Sequence, residues 1–218
     1  ETAYKAIPTY KDSDGRICRV ATGTGPLTWY HDQTPSGMSG LVGNIWEWAG
    51  AVRAVFGELQ ILVNNNGADA AHSQGASSAE WKAINAADGS LITPNGSGTT
   101  SGSIKMDFIS NTLTWSTSIT NKADAWRDIP FSNVKCDSTI GANAKLLLQN
   151  LGFLPYEGDT LESAHHCYFD NGLAEICFFS GGAWDYSDYG LASFSCYVRS
   201  GARTFLGFRS AYVKLPTA

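Results

Sequence analysis

Apolar and polar residues alternate with a period of two in several short stretches of this chain, and two others carry a helical repeat. ICRVA, near the N-terminus, reads as a short strand. The run GLVGNIWEWAGAVRAVFGELQILV, from Gly40 to Val63, reads as buried structure: NIWEWAGAVRAV and FGELQILV form two strands joined by a tight turn near Gly57. IKMDFISNTLTWSTSI gives two alternating strands around Ser110-Asn111, and HHCYFDNGLAEICFF predicts a hairpin turning at Asp170-Asn171-Gly172. A helix capped by Ser77 or Ser78 is expected to run through Trp81 and Ile84, with Glu80 in its first turn, and to stop at Asp88-Gly89. ANAKLLLQNLGFLP predicts a second helix, with Leu146, Leu147 and Leu151 on one side and an end at Gly152 and Pro155. Between these elements lie the turn clusters KDSDGR, ATGTGP and DQTPSG, and the loop TPNGSGTTSGS. Few helices, many short strands and no βαβα order predict an α+β domain.

The length, 218 residues, suits one such domain. Charged residues make up 16%, below the roughly 25% usual for globular domains, and 23 glycines with seven tryptophans and nine tyrosines take their place. That composition describes a loop-rich fold with a polar, hydrogen-bonding surface. A net charge of −5 argues against a nucleic-acid partner, which needs a basic face. No apolar run approaches the roughly 18 residues of a spanning helix, so membrane insertion is not expected. Five cysteines leave at least one unpaired. Free thiols are expected, with a Cys167–Cys177 bridge across the predicted hairpin as the alternative.

Catalytic patterns are missing: there is no G-x-S-x-G, P-loop or H-E-x-x-H, and Gly23 and Gly25 lack the rest of a dinucleotide fingerprint. His165 and His166 are neighbours on a strand and point to opposite faces, which does not suit a shared metal. Asp12, Asp14 and Gly15 lack the remaining ligands of a calcium loop. Glu47, between Trp46 and Trp48, reads as a buried carboxylate bonded to backbone. No cofactor is expected.

What remains is GGAWDYSDYGLASFSCYVRSGARTFLGFR, from Gly181 to Arg209, where DYSDY follows neither period. GLVGNIWEWAG resembles the G-N-V-W-E-W motif of the formylglycine-generating-enzyme (sulfatase-modifying factor) family. GGAW followed by LGFR resembles the end of the same fold. Both occur in the right order, and the resemblance covers roughly residues 35–213, loosely in 65–160. It implies a C-type-lectin-like fold. The enzyme branch of that family uses cysteines soon after its GGSW-type segment, with a thiol substrate and copper; here Tyr186 and Leu191 stand in those places, so no catalysis is expected.

A second branch is closer: the variable proteins of diversity-generating retroelements, such as phage tropism determinants, also run from G-G-x-W to G-F-R. The resemblance implies a diversified ligand-binding surface at Asp185, Tyr186, Ser187, Asp188, Tyr189, Phe194, Cys196, Tyr197, Gly201, Arg203 and Phe205. It also implies Trp184 as a core anchor, and Arg209 bonded to buried carbonyls or to Glu47. Tyrosine offers large contact area at low entropic cost, and serine and aspartate offer adaptable hydrogen bonds. The expected organisation is residues 36–218 as the ligand-binding domain, with its variable region at about 181–209. Residues 1–35 are then a segment of that domain or a lead-in from a larger protein. The expected partner is a protein receptor on a host or target-cell surface, met from a phage tail or a bacterial surface, with oligomers open. The alternatives are a degenerate or active sulfatase-modifying-type oxidoreductase, and a structural tail or adhesin module without a variable site.

Overall fold

The computed structural model describes residues 5–123, 125–158, 165–186 and 189–208. Strands β1 (Pro8–Lys11) and β2 (Ile17–Val20) form a small antiparallel sheet of their own. A single larger sheet takes in β3 (Trp46–Val55), β4 (Glu58–Ile61), β5 (Lys82–Ile84), β6 (Leu91–Ile92), β7 (Lys105–Ile109) and β8 (Thr112–Ser116). It continues through β9 (Arg127–Pro130), β10 (Lys135–Cys136), β11 (His166–Phe169), β12 (Ile176–Ser180), β13 (Phe194–Tyr197) and β14 (Leu206–Gly207). Its main path runs β10-β8-β7-β4-β3-β12-β13-β11-β9, with β14 added to β3, β5 to β4 and β6 to β5. One α-helix, α1 (Ala142–Asn150), lies among the described residues. The architecture is therefore mixed α and β, and mostly sheet.

Two of the expected strand pairs form, and their turns explain why. Phe56 and Gly57 (φ 46° and 83°) join β3 to β4, while Ser110 and Asn111 (φ 49° and 63°) join β7 to β8. Left-handed backbone at both central residues matches the twist of the flanking strands.

Two expectations fail. Lys82–Ile84 is a strand rather than part of a helix, because Ala83 pairs with Gln60 of β4 on one side and Ile92 of β6 on the other. Ser78 Oγ does accept a backbone N–H, but it is that of Glu80, two residues on, which closes a turn and starts no helix. Nor do β11 and β12 form a hairpin. β13 lies between them, parallel to β11 and antiparallel to β12. The Asp170-Asn171-Gly172 turn instead bends the chain away: Asp170 Oδ1 accepts Gly172 N–H at 2.8 Å. The fully buried Asn171 side chain donates to Met106 O and Asn121 O and accepts from Ala123 N–H. Finally, α1 does form, but it buries Ala144 and Leu148, leaving Leu146 and Leu151 exposed. Its first turn is held by the Gly141 N–H to Ala86 O bond, which turns Ala144 toward the core.

The main core lies on one face of the sheet, where Trp115, Phe169, Phe178 and Phe194 pack with Leu148 and Phe153. A polar thread runs along the opposite face, because Arg53, Glu58, Gln60 and Lys105 alternate with the core residues Ala54, Leu59 and Met106. Lys105 donates to Ser103 Oγ, Ser103 to Glu58, Gln60 to the other Glu58 oxygen, and Arg53 to both Gln60 and Glu175. Arg199 closes it with two bonds to the Glu175 carboxylate. Each buried charge in the thread has a partner, which offsets its desolvation. All five cysteines are free thiols.

The frame of the C-terminal segment is set by β3. Ser180 of β12 pairs with Glu47 on one side, and Gly207 of β14 pairs with the same Glu47 on the other. The N-terminal sheet is tied on as well: the Asn44 side chain exchanges two hydrogen bonds with the Val20 backbone.

Candidate functional site

The parity of two strands decides which side chains meet on the far face. On β13, Phe194 and Cys196 point into the main core and are 5% and 0% exposed. Ser195 and Tyr197 therefore face the opposite way. On β11, Cys167 and Phe169 are buried in that core, so His166 and Tyr168 share the other face. The sequence expectation of Phe194 and Cys196 as surface contacts is thus corrected: neither can reach solvent while Phe178 and its neighbours hold them.

On that far face Trp46, Phe179 and Ala183 make a second, smaller core, with Trp48, Tyr189, Tyr197, Phe205 and Leu206 packed against it. Trp46 meets Phe179 edge-on at 5.1 Å and Tyr189 at 4.9 Å. Tyr186 extends the cluster outward, at 5.3 Å from Tyr189 and 6.2 Å from Phe205. Beside them Trp126 stacks nearly parallel on Tyr168 (5.1 Å, 5°) and on Tyr197 (5.4 Å, 21°). The Arg203 guanidinium lies 4.7 Å from the centre of the Tyr197 ring and donates to its hydroxyl. Together these rings line a cleft of about 410 Å³.

Among the described residues one carboxylate lines the cleft. Asp128, on β9, accepts from the Tyr189 hydroxyl at 3.0 Å through Oδ2, and its Oδ1 lies 2.9 Å from His166 Nδ1. Burial, then the Asp128 charge, pushes the Tyr189 phenol far above its ordinary range. Burial and the Asp185 and Asp128 carboxylates push Tyr186 the same way. Burial likewise raises the Tyr168 phenol, followed by its neighbours Tyr186 and Cys196 and the Asp128 carboxylate. All three side chains are neutral at neutral pH and act as hydrogen-bonding groups with apolar bodies.

Of the residues picked out in the sequence, Tyr186, Tyr189, Tyr197, Arg203 and Phe205 line the cleft, and Cys196 belongs to its wall although it is fully buried. Asp185 is exposed beside it. Gly201 serves a spatial role: a Cβ there would fall 2.1 Å from Tyr197 Cδ1, so the glycine lets that ring lie flat over the turn. Ser187, Asp188 and Arg209 lie outside the described residues. Trp184 is half-buried and packs on Tyr10 at 5.7 Å rather than inside the Trp46 cluster. Phe208, at the end of the described stretch, is 79% exposed. At the other end, Gly181 and Gly182 adopt φ of 93° and 72° with backbone oxygens within 3 Å of where a Cβ would sit, so both must be glycine.

Sequence reasoning missed Asp128 on β9, Trp126 just before it, and Tyr168 on β11, all outside the bracketed GGAW segment. The alternation in HHCYF carried the signal for Tyr168, since a buried Cys167 and Phe169 force Tyr168 outward. Nothing local marked Trp126 or Asp128. Compared with models of known protein families and with curated protein sequences, the chain matches none.

Proposed function

We propose that this chain is a non-catalytic receptor-binding domain whose C-terminal stretch, from Gly181 to Phe208, forms a diversified contact surface on a C-type-lectin-like scaffold. It would be carried on a phage tail or a bacterial surface and meet a protein on a target cell. One observation carries the reading: Tyr186 and Tyr189, Tyr197, and Arg203 and Phe205 come from three separate pieces of chain and line one cleft. The stretch that supplies them starts and ends on either side of Glu47. A surface meant to change its side chains needs ends that do not move, and paired strands provide them. Large aromatics and an arginine at its centre are the residue types enriched at interface hot spots.

Sequencing the 3′ end of the gene across a population of cells or phage tests the reading. Replacements should concentrate at codons 185–205, with Trp46, Gly181 and Gly182 constant, and a near-identical template repeat should lie beside a reverse-transcriptase gene. A uniform spread of substitutions and no template repeat would sink it.

A further inference from the structure

The walls of the cleft meet nearly at right angles: Trp46 against Tyr189 at 75°, Tyr186 against Tyr189 at 83°, and Tyr186 against Phe205 at 82°. Such an arrangement makes a box rather than a flat platform. Aromatic faces carry negative charge density and attract cations. Asp128 adds a carboxylate at the same place; its side chain is 45% exposed, and among the described residues its oxygens have one partner each, the Tyr189 hydroxyl and His166 Nδ1.

The phenols report the sign of the field. Tyr168, Tyr186 and Tyr189 are all held in the neutral form, first by burial, and in each case Asp128 adds to the effect. The Asp128 share of that effect is a negative field, which favours a cation, whereas burial alone opposes any charge. Among the described residues the cationic side chain lining the cleft is Arg203, which is turned onto the Tyr197 ring and hydroxyl and Ala202 O. It also shows that a ring of this cleft accepts a guanidinium.

Resting on the reading of the cleft as the docking site, we propose that it receives a basic side chain, lysine or arginine, projecting from the protein partner. The charged head would lie against Asp128 and the stem along the aromatic walls. A volume of about 410 Å³ is near the small end of ligand pockets, which run from about 300 to 1,000 Å³, and suits one inserted side chain. The surroundings favour a macromolecule over a free amine: Tyr186, 44% exposed, presents its ring at the mouth of the cleft and calls for cover.

NMR titration of the labelled chain with small probes tests this. Nα-acetyl-lysine and Nα-acetyl-arginine methylamides should give saturable shifts at Tyr168, Tyr186 and Tyr189, while Nα-acetyl-norleucine methylamide should give none. Asp128→Asn, which keeps an acceptor oxygen for Tyr189, should weaken the basic probes by about tenfold. If that variant folds poorly, Tyr186→Ala at an exposed position should weaken them about fivefold. Equal binding of the norleucine probe, or unchanged binding in both variants, would overturn the proposal. Binding of tetramethylammonium with failure of both basic amides would overturn the assignment to a protein side chain. Failure of all cationic probes beside population variation at codons 185–205 would remove the cation site and leave the docking surface standing.

Discussion

Tyr189 and Asp128 are 61 positions apart in sequence, yet the tyrosine hydroxyl donates to the carboxylate at 3.0 Å. The bond fastens the segment after Trp184 to β9, the last strand on its side of the sheet. Tyr189→Phe removes the bond and keeps the ring against Trp46. It should cost about 0.5–1.5 kcal/mol in urea unfolding, the usual worth of one hydrogen bond, and the partly exposed carboxylate favours the lower half. A loss as large as that of Trp46→Ala would mean the ring, and not the hydroxyl, had been displaced.

Alkali should unfold the protein through its tyrosines. Tyr168, Tyr186 and Tyr189 ionise later when folded than when unfolded. Between the ordinary phenol value, about 10, and the raised folded values, the unfolded chain has lost protons that the native chain keeps, so stability falls as pH rises. Below about pH 10 the contribution is fully present. Thermal melts from pH 8 to 11.5 should show this decline, and Asp128→Asn should make it shallower. A flat profile above pH 10 would place these rings in water.

The local patterns that were legible are those whose partners are close in sequence. Phe56-Gly57 and Ser110-Asn111 carry their own turn geometry, so β3–β4 and β7–β8 could be read directly. The Asp170-Asn171-Gly172 turn gives the same local signal, but β13 enters from more than 20 residues downstream and separates the strands it would have joined. Lys82–Ile84 was misread because its strand character comes from Gln60 and Ile92, outside any window around it. The site shows the same division. Tyr186, Tyr189 and Arg203 lie inside the bracketed stretch and were found, while Trp126 and Asp128 reach the cleft only through the β9–β11–β13 order. Phe194 and Cys196 were misassigned because the side of a strand facing the core depends on what packs there.

The polar thread makes its own prediction. Glu175 is held below the usual carboxylate range, first by its bond from Arg199, then against burial by Arg53. Its stabilising effect is present above about pH 4.5 and lost as pH falls through the lowered value. Glu175→Gln should cost about 3 kcal/mol, because it leaves the buried Arg53 without its counter-charge. Urea unfolding at pH 7 and pH 3.5 checks both parts: the gap between variant and parent should narrow in acid.

Trp46→Ala and Tyr186→Ala should separate scaffold from surface. Trp46 is 3% exposed at the centre of the second core, so its truncation should cost about 3–5 kcal/mol. Tyr186 is 44% exposed, and its loss should stay within about 1 kcal/mol. Chemical denaturation of both variants decides; equal losses would make Tyr186 part of the core.

Thiol labelling bears on the oxidoreductase alternative. Burial pushes the Cys136 thiol up to about 11, and it pushes Cys167, Cys177 and Cys196 up as well. In native buffer Cys18 should react with a thiol reagent well before the other four, which should react on unfolding. Rapid labelling of Cys196 would give the sulfur chemistry a carrier.

The pairing of Ser180 and Gly207 across Glu47 makes everything between them a closed circuit with both terminals on one residue. The cost of closing such a circuit grows only with the logarithm of its length, about 0.6 kcal/mol for each doubling. Residues inserted or removed between Asp185 and Leu191, or between Val198 and Thr204, would therefore change the outline of the cleft at little expense to the sheet. On the proposed reading, loop size as well as side-chain identity is open to revision.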